Sequence, residues 1–497
     1  MTNSLPAVKY QEIDQSTVPP VLLAGAHGLI LQTLFGPADK PYKITTVDSY
    51  KAMFGGPDSI KHPYFAQVRR ALARGVTLFV QRLLMTGATA ASYAFATEKI
   101  TITAKDLGSW ANNALGFNFT QGDGATTPFS LSIIYAANAD VQETFTTAVN
   151  GTLDDLITLV NANSQRVTIT TQAGYVAPAT TVATLYLAGG TDGAFADTPT
   201  KDAAVNTLFA NFNDLTKLDS ISVAGSHSKA HMENITAYVE GRGDLMAIFE
   251  VDPTLDPATA TTFLQSLTKT SSYVAIYYGS NLSSWSVEEQ KEVTNGILLD
   301  VLGVWSYNDS AFEVGGRAKA PAGGQRGLIP NVRTFAYNML SPARKVAADN
   351  MVALGCNVVG NHPTFGPVVW GAKTRNMKNS ALDNINVRRM LIDLEQQLTP
   401  IYQKGLFEPM SPKSWRAAYA NVVPILTELE KAEAIYPGWA YVGDQNASKI
   451  EDALYNKPLD LANGIYKVKI SMVPVGYIEQ LDFTILVNNV TTLFNAA

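Results

Sequence analysis

The chain of 497 residues contains one cysteine, Cys356. No disulfide can form within it, which fits a reducing compartment. Charge is sparse: Asp, Glu, Lys and Arg make up 16% of the residues and sum to −6. Domains that grip nucleic acid are usually basic, so no nucleic-acid partner is expected. The first residues show no basic stretch leading into an apolar one, the mark of a secretory signal. Long apolar runs are missing too. The nearest, VPPVLLAGAHGLILQTLF (18–35), is broken by Pro, Gly, His and Gln. It falls short of the roughly 18 unbroken apolar residues that a membrane span needs. These absences predict a soluble protein made in the cytoplasm, with no direct membrane insertion.

What is present is apolar content of 46%, enough for several cores. The length suggests about three domains. Residues 1–20 hold Pro6, Pro19 and Pro20 with few large apolar side chains, and read as an arm. Within 21–85, VLLAGA predicts a strand, 45–55 and 59–75 predict helices, and VTLFVQRLL (76–84) predicts a buried strand. Residues 86–200 change character. Thr, Ala, Asn and Gly dominate, and KITITA, FSLSIIYA and RVTITTQ alternate, so a mostly β insertion is expected, with one helix at TLDDLITLVNA. Its nine acidic and three basic residues account for the whole net charge.

From 201 to 380 strands alternate with helices, the pattern of an α/β layer with parallel pairing. A helix is expected over 229–242, another behind Asp256 and Pro257, and a third over SVEEQKEVTNGILLDVLG, where Ser286 and Glu289 form a capping-box signature. The C-terminal unit, 381–487, opens with a helix striped by Val387, Leu391, Leu394, Leu398 and Ile401. A second helix is striped by Trp415, Tyr419, Val422, Leu426 and Leu429, with a kink at Pro424. Two alternating strands follow, one with Tyr466, Val468, Ile470 and Met472, the other with Leu481, Phe483, Ile485 and Val487. The last ten residues, 488–497, read as a second arm. The fold class is therefore multidomain α/β and α+β, with a core built from N- and C-terminal segments around an inserted, mostly β domain.

Candidates for chemistry are few. His227 and His231 stand four apart with Glu233 nearby, but HExxH is absent and surface histidines at a helix start explain them. Cys356 with His362 could pair as nucleophile and base, yet the apolar context LGCNVVG favours a buried small side chain. GAHG (25–28) is not GxGxxG, and no Walker A motif occurs. The loop GGRAKAPAGGQRG could cradle phosphate through Arg317, Lys319 and Arg326, but no helix N-terminus is expected behind it. Sequons such as the one at Asn446 carry no meaning without secretion. No catalytic residue, cofactor or metal ligand is assigned.

One segment asks for another explanation. NINVRRMLIDLE places Arg388 and Arg389 at the head of a helix, where the helix dipole disfavours cations. Carboxylates must compensate, within the fold or across an interface; Asp393, one turn on, is within reach of Arg389.

The ordered pieces resemble the contractile tail sheath proteins of bacteriophages, a family related to contractile bacteriocin and type VI secretion sheaths. At the N-terminus the likeness is carried by VLLAGAHGLI, GPADKPYKITTVDSYKAMFGG and PYFAQVRRALARGVTLFVQRLL, with Arg82 on the family's arginine. From about 315 to 485 it is carried by GGRAKAPAG, ALGCNVV, VVWGAKT, NINVRRMLIDLE, LFEPMSPKSW and NGIYKVKISMVPVGYIEQLDFTI. GYIEQ replaces the more usual Pro-Ala-Glu before the last strand, and residues 86–200 match nothing in the family.

The resemblance implies a structural protein and not an enzyme. It implies hexameric rings stacked as a helical sheath around a tail tube, contracting to drive that tube through a host envelope, as part of a virion assembled in the host cytoplasm. Partners would be further copies, the tube protein, and baseplate and terminator proteins. Terminal arms would add strands to neighbouring subunits' sheets; Val8, Tyr10, Ile13, Ile485, Val487, Val490 and Leu493 are the arm candidates. Trp370, Arg388, Arg389 and Trp415 would serve the inner domain's core or interfaces, and Lys449, Glu451 and Asp452 would touch the tube. The acidic insertion would face outward. The alternatives are a nucleotide- or sugar-binding enzyme on the α/β segment, which predicts ligand-dependent stabilisation, and a capsid or adhesin component binding a host surface.

Overall fold

The computed structural model describes residues 25–479 except 59–61, 124, 136–139, 179–180, 194, 196–198, 281, 287–288, 312–315, 331, 333, 336–340, 342–343, 410, 443–459 and 461–462. All seven arm candidates, Val8, Tyr10, Ile13, Ile485, Val487, Val490 and Leu493, lie outside the described residues. So do the tube-contact candidates Lys449, Glu451 and Asp452, Asn446, and the expected strand over 481–487.

The N-terminal part runs β1 (Ala26–Leu31), β2 (Tyr42–Ile44), α1 (Val47–Phe54), α2 (Phe65–Ala73) and β3 (Thr77–Arg82). Thr46 starts α1 by accepting the Ser49 N–H at 3.2 Å, and Gly55, at φ 93°, ends it. β1 begins where the expected VLLAGA strand was to end. The glycines of GAHG flank and enter β1 because neighbours crowd them. A Cβ on Gly25 would stand 2.8 Å from Asp219, and one on Gly28 3.0 Å from Phe212. They permit close packing and shape no phosphate loop.

Residues 86–193 hold β4 (Ser92–Phe95), β5 (Ile100–Ala104), β6 (Leu115–Thr120), β7 (Ser130–Tyr135), β8 (Asp140–Thr146), α3 (Leu153–Asn163), β9 (Val167–Thr171) and β10 (Val182–Tyr186). They form two antiparallel sheets, ordered β10-β6-β7-β8 and β4-β5-β9. Their apolar faces, with Leu156 and Val160 of α3, enclose a separate core around Trp110, Phe117 and Ile133. The helix exists because Thr152 and Asp155 close a reciprocal capping box at its start.

Next come α4 (Pro199–Leu208), β11 (Leu218–Val223), α5 (Lys229–Arg242), β12 (Met246–Glu250), α6 (Pro257–Ser266) and β13 (Val274–Tyr278). Ser228 caps α5, and Asp256 caps α6 ahead of Pro257. The expected helix across SVEEQKEVTNG is instead a hairpin, β14 (Leu282–Ser286) and β15 (Lys291–Asn295), before α7 (Leu298–Ala311). The capping signature is half real: the Glu289 N–H donates to Ser286 Oγ at 3.2 Å. The chain then turns back through Gln290 at φ 52° and does not continue a helix. α8 (Gly323–Arg326), β16 (Thr334–Phe335), α9 (Lys345–Ala353), β17 (Cys356–His362) and β18 (Gly366–Val369) complete this part.

Eight of these strands make one sheet, ordered β18-β17-β13-β12-β11-β1-β3-β2. Its interior pairs are parallel, with antiparallel strands at the edges. Both faces are covered, so β11, β12 and β13 are buried at every position. Successive residues still alternate between two cores. Met246, Ile248 and Tyr277 face Tyr50, Phe65, Val68 and Trp305, whereas Ala247, Phe249 and Ile276 face Val205, Met232, Leu264 and Met351.

The C-terminal unit consists of α10 (Ile385–Gln403), α11 (Pro412–Lys431) and a two-stranded sheet of β19 (Ala440–Val442) and β20 (Lys469–Ser471). α10 is long enough to do two things. Ile385 and Ile392 join the first core of the α/β layer, while Leu394 packs with Val422, Leu426 and Tyr441 in a core of the unit's own. Around β20, Val468, Ile470 and Met472 are half-buried, whereas Lys469, Ser471 and Val473 between and beyond them are exposed.

Candidate functional site

The two arginines of α10 are the best-defined polar feature of the molecule, and both are buried. Their environment is assembled from distant parts of the chain. Asp219 is the second residue of β11, Asp309 lies in the last turn of α7, Arg317 sits in the 3-10 turn Gly316–Ala318, and Asp393 follows Arg389 by one turn of α10. Arg389 donates from Nη2 to Asp219 Oδ2 at 2.7 Å and to Asp309 Oδ2 at 2.5 Å, and its guanidinium lies 4.5 Å from the centre of the Trp305 ring. Arg317 bonds to Asp393, with Asp309 at 3.4 Å and Asp219 at 3.8 Å.

The intrahelical pairing of Arg389 with Asp393 expected from their spacing therefore does not form. Arg389 points at the layer, and Asp393 is taken by Arg317. That also removes Arg317 from any phosphate-cradling loop, since its charge is used inside the fold. Arg388 stacks on Tyr273, its guanidinium 3.7 Å from the ring centre, with no carboxylate bound to it among the described residues.

Burial sets the electrostatics. Desolvation would raise the Asp219 carboxyl, but Arg389 and Arg317 outweigh it and hold the group below the usual carboxylate range. At Asp393 desolvation wins over Arg317, and Asp219 and Asp309 add repulsion, so its pKa is pushed up to about 6. Asp309 is raised for the same first reason. His27 lies beside the cluster on β1, bonded to Ser220 Oγ at 2.7 Å and Ser306 Oγ at 3.0 Å. Burial lowers its pKa to about 4.

The charged groups of this arrangement tie α10 to β11, to α7 and to the 3-10 turn Gly316–Ala318. Neighbouring bonds do the same: Asn386 Nδ2 donates to the Ala318 carbonyl at 2.9 Å, and Gln396 Nε2 to the Asp244 carbonyl at 2.9 Å.

The other candidates fall elsewhere. Trp370 is exposed, stacked on His362 with ring centres 4.6 Å apart, and so is not a core residue. It borders a groove of about 900 Å³ with Lys345, Lys373 and Tyr477. Trp415 stacks on Tyr466 at 5.6 Å in the C-terminal unit. Arg82 is buried at the end of β3 and donates to the Gly36 carbonyl at 2.8 Å and the Leu107 carbonyl at 2.7 Å, joining β3 to the β-rich segment.

Cys356 and His362 occupy opposite ends of β17, and burial raises the Cys356 thiol. His231 is not at the surface as expected but buried against Phe209 and Phe249, while His227 precedes the cap of α5, 3.7 Å from Glu250. Among the described residues no His, Cys, Asp and Glu group is placed to hold a metal ion, and no helix is long and apolar enough to cross a membrane.

No family model matches the chain. Over 172 residues it is 29% identical to the tail sheath protein of Salmonella phage ViI, and over 138 residues 28% identical to that of Vibrio phage KVP40. These stretches span 33% and 28% of this chain but only 26% and 19% of the relatives' own length. Among solved structures, the sheath tail protein of Desulfitobacterium hafniense superposes with a TM-score of 0.61 at 15% identity, over 95% of this chain and 100% of that one. The PVC sheath of an extracellular contractile injection system, in its contracted state, gives 0.56 at 13% over 99% of each chain. The contracted helical sheath of the anti-feeding prophage gives 0.55 at 13% over 98% of this chain and 100% of that one. The mixed α/β architecture with several sheets is therefore that of sheath proteins. In sequence and in fold, the chain resembles the contractile tail sheath proteins of phages and phage-like injection systems.

Proposed function

We propose that this protein polymerises into the contractile sheath of a phage-like tail: hexameric rings stacked helically around a tail tube, shortening to drive the tube through a host envelope. It would work as a virion component beside tube, baseplate and terminator proteins, without catalysing a reaction. The observation that carries the reading is fold likeness over nearly the whole chain to sheath proteins, joined to sequence similarity with phage tail sheaths. The enzyme, capsid and adhesin alternatives have no such support.

The C-terminal unit suggests how copies would connect. Among the described residues its sheet has two short strands, β19 and β20. A sheet of two strands is marginal in water unless something is added to it. The arms of adjoining copies, 1–20 and 488–497, would add strands to it through main-chain hydrogen bonds. An exposed edge that would otherwise invite aggregation would then be used for ordered pairing. Contraction would repack rigid bodies about these connections, moving from a metastable to a more stable arrangement. The β-rich acidic segment would lie outside the wall, where its charge would limit association between particles.

Negative-stain microscopy of the purified protein tests this. The full chain should form rings or striated tubes, and removal of residues 1–15 or 488–497 should leave a folded protein that forms neither. Normal assembly by both truncated chains would overturn the arm mechanism. Dispersed monomers of the full chain at high concentration would overturn the sheath reading.

A further inference from the structure

We infer that the buried charges between α10 and the α/β layer act as a proton-sensitive latch: the cluster takes up a proton at Asp393 in mildly acid conditions and grips the C-terminal unit more tightly when it does. The inference does not depend on the assembly reading, because it concerns one copy.

It starts from the charge inventory. Among the described residues, three carboxylates, Asp219, Asp309 and Asp393, face two guanidiniums, Arg317 and Arg389, and all five side chains are at most 12% exposed. With neutral His27 beside it, the cluster carries an excess negative charge away from water. Such a charge is costly, and one proton removes it. The three carboxylates are not equivalent. Asp219 is held by Arg389 through two nitrogens, at 2.7 and 3.4 Å, with Arg317 also near. Asp309 shares Arg389 and Arg317. Among the described residues Asp393 is bonded to Arg317 alone, and that guanidinium is divided among three acids. Asp393 is therefore the position where a proton is retained most readily.

Several other charged groups around α10 are engaged elsewhere. Arg388 lies on Tyr273, Arg242 pairs with Asp244, Glu430 accepts from Trp439, and Lys319 pairs with Glu433. The titratable neighbours of Asp393 are thus Asp219 on β11, Asp309 on α7, Arg317 on its 3-10 turn and Arg389 on α10, with His27 of β1 behind Asp219. The elevated affinity of Asp393 for a proton, at about pH 6, agrees with this inventory.

The sign follows from linkage. A carboxyl that binds its proton more strongly in the docked state than in the open one stabilises docking fully below its free value, about 3.9. That contribution is lost as pH rises through about 6. Hydrogen exchange of peptides within 385–403 reads it, in the full chain and in Asp393→Asn, each corrected for intrinsic rates. Between about pH 7.5 and about pH 5, protection in the natural chain relative to the variant should rise about tenfold. Effects of other groups are shared by the two proteins and cancel. A change under about twofold, or of opposite sign, would overturn the latch. So would a variant that no longer folds at about pH 5, since an amide there imitates the protonated acid.

Discussion

Arg389 is wholly buried, and its two aspartates sit at the ends of elements separated from it by 170 and 80 residues in the chain. A buried ion pair is weak evidence for net stability, because desolvation opposes attraction, but breaking one strands a charge. Arg389→Met should therefore cost about 3–5 kcal/mol and release α10 from the layer, measured as loss of proteolytic resistance across 385–403. Asp393→Asn should instead be stabilising at pH 7, because it removes a carboxylate that is ionised there and leaves two carboxylates for two guanidiniums. An equal cost for both would contradict the pairing described. Two of the buried histidines act in the opposite sense to Asp393. His27 and His62 are held neutral, each lowered to about 4 chiefly by burial. Their contribution is present above the free value of about 6.5 and is lost as pH falls towards about 4. Thermal unfolding should therefore move to lower temperature between those values, and the asparagine variant should show a steeper fall than the natural chain.

The element that joins the two parts of the molecule is α10. Its first half, Ile385 to Ile392, shares the core of the layer, and its second half shares a small core with α11. Leu426→Ala, in that small core, should cost about 2–5 kcal/mol. The loss should appear as faster exchange in α11 and the second half of α10, while β12 and β13 keep their protection. Loosening of the central strands as well would mean the two cores are one cooperative unit.

The same elements show what the sequence discloses. Ser228, and Asp256 with Pro257, mark helix starts through local hydrogen bonds, so both starts were legible. The β14–β15 hairpin was not. Its capping signature forms locally, but the chain turns back into a hairpin of β14 with β15, and β14 also pairs with β16, far along the sequence. The double arginine was legible as an oddity that needed carboxylates. Its true partners were hidden, because Asp219 and Asp309 belong to elements that only the sheet order brings to α10. Each did leave a trace: an aspartate within the apolar strand LDSISV, and another near the end of the apolar helix LLDVLGVWSYNDSA.

At the scale of the whole molecule, the described residues form several cores and one sheet of eight strands. They offer an α/β layer, a unit clasped to it by buried charge and, among the described residues, a sheet of two strands. In the proposed function, the layer and the unit clasped to it would transmit force between copies. The most direct test is a high-resolution electron-microscopy map of the assembled full-length protein. It should show helical tubes in which residues 1–20 and 488–497 of one copy pair with β19 or β20 of its neighbours. A map in which both ends fold back onto their own subunit, with no strand exchanged between copies, would contradict it.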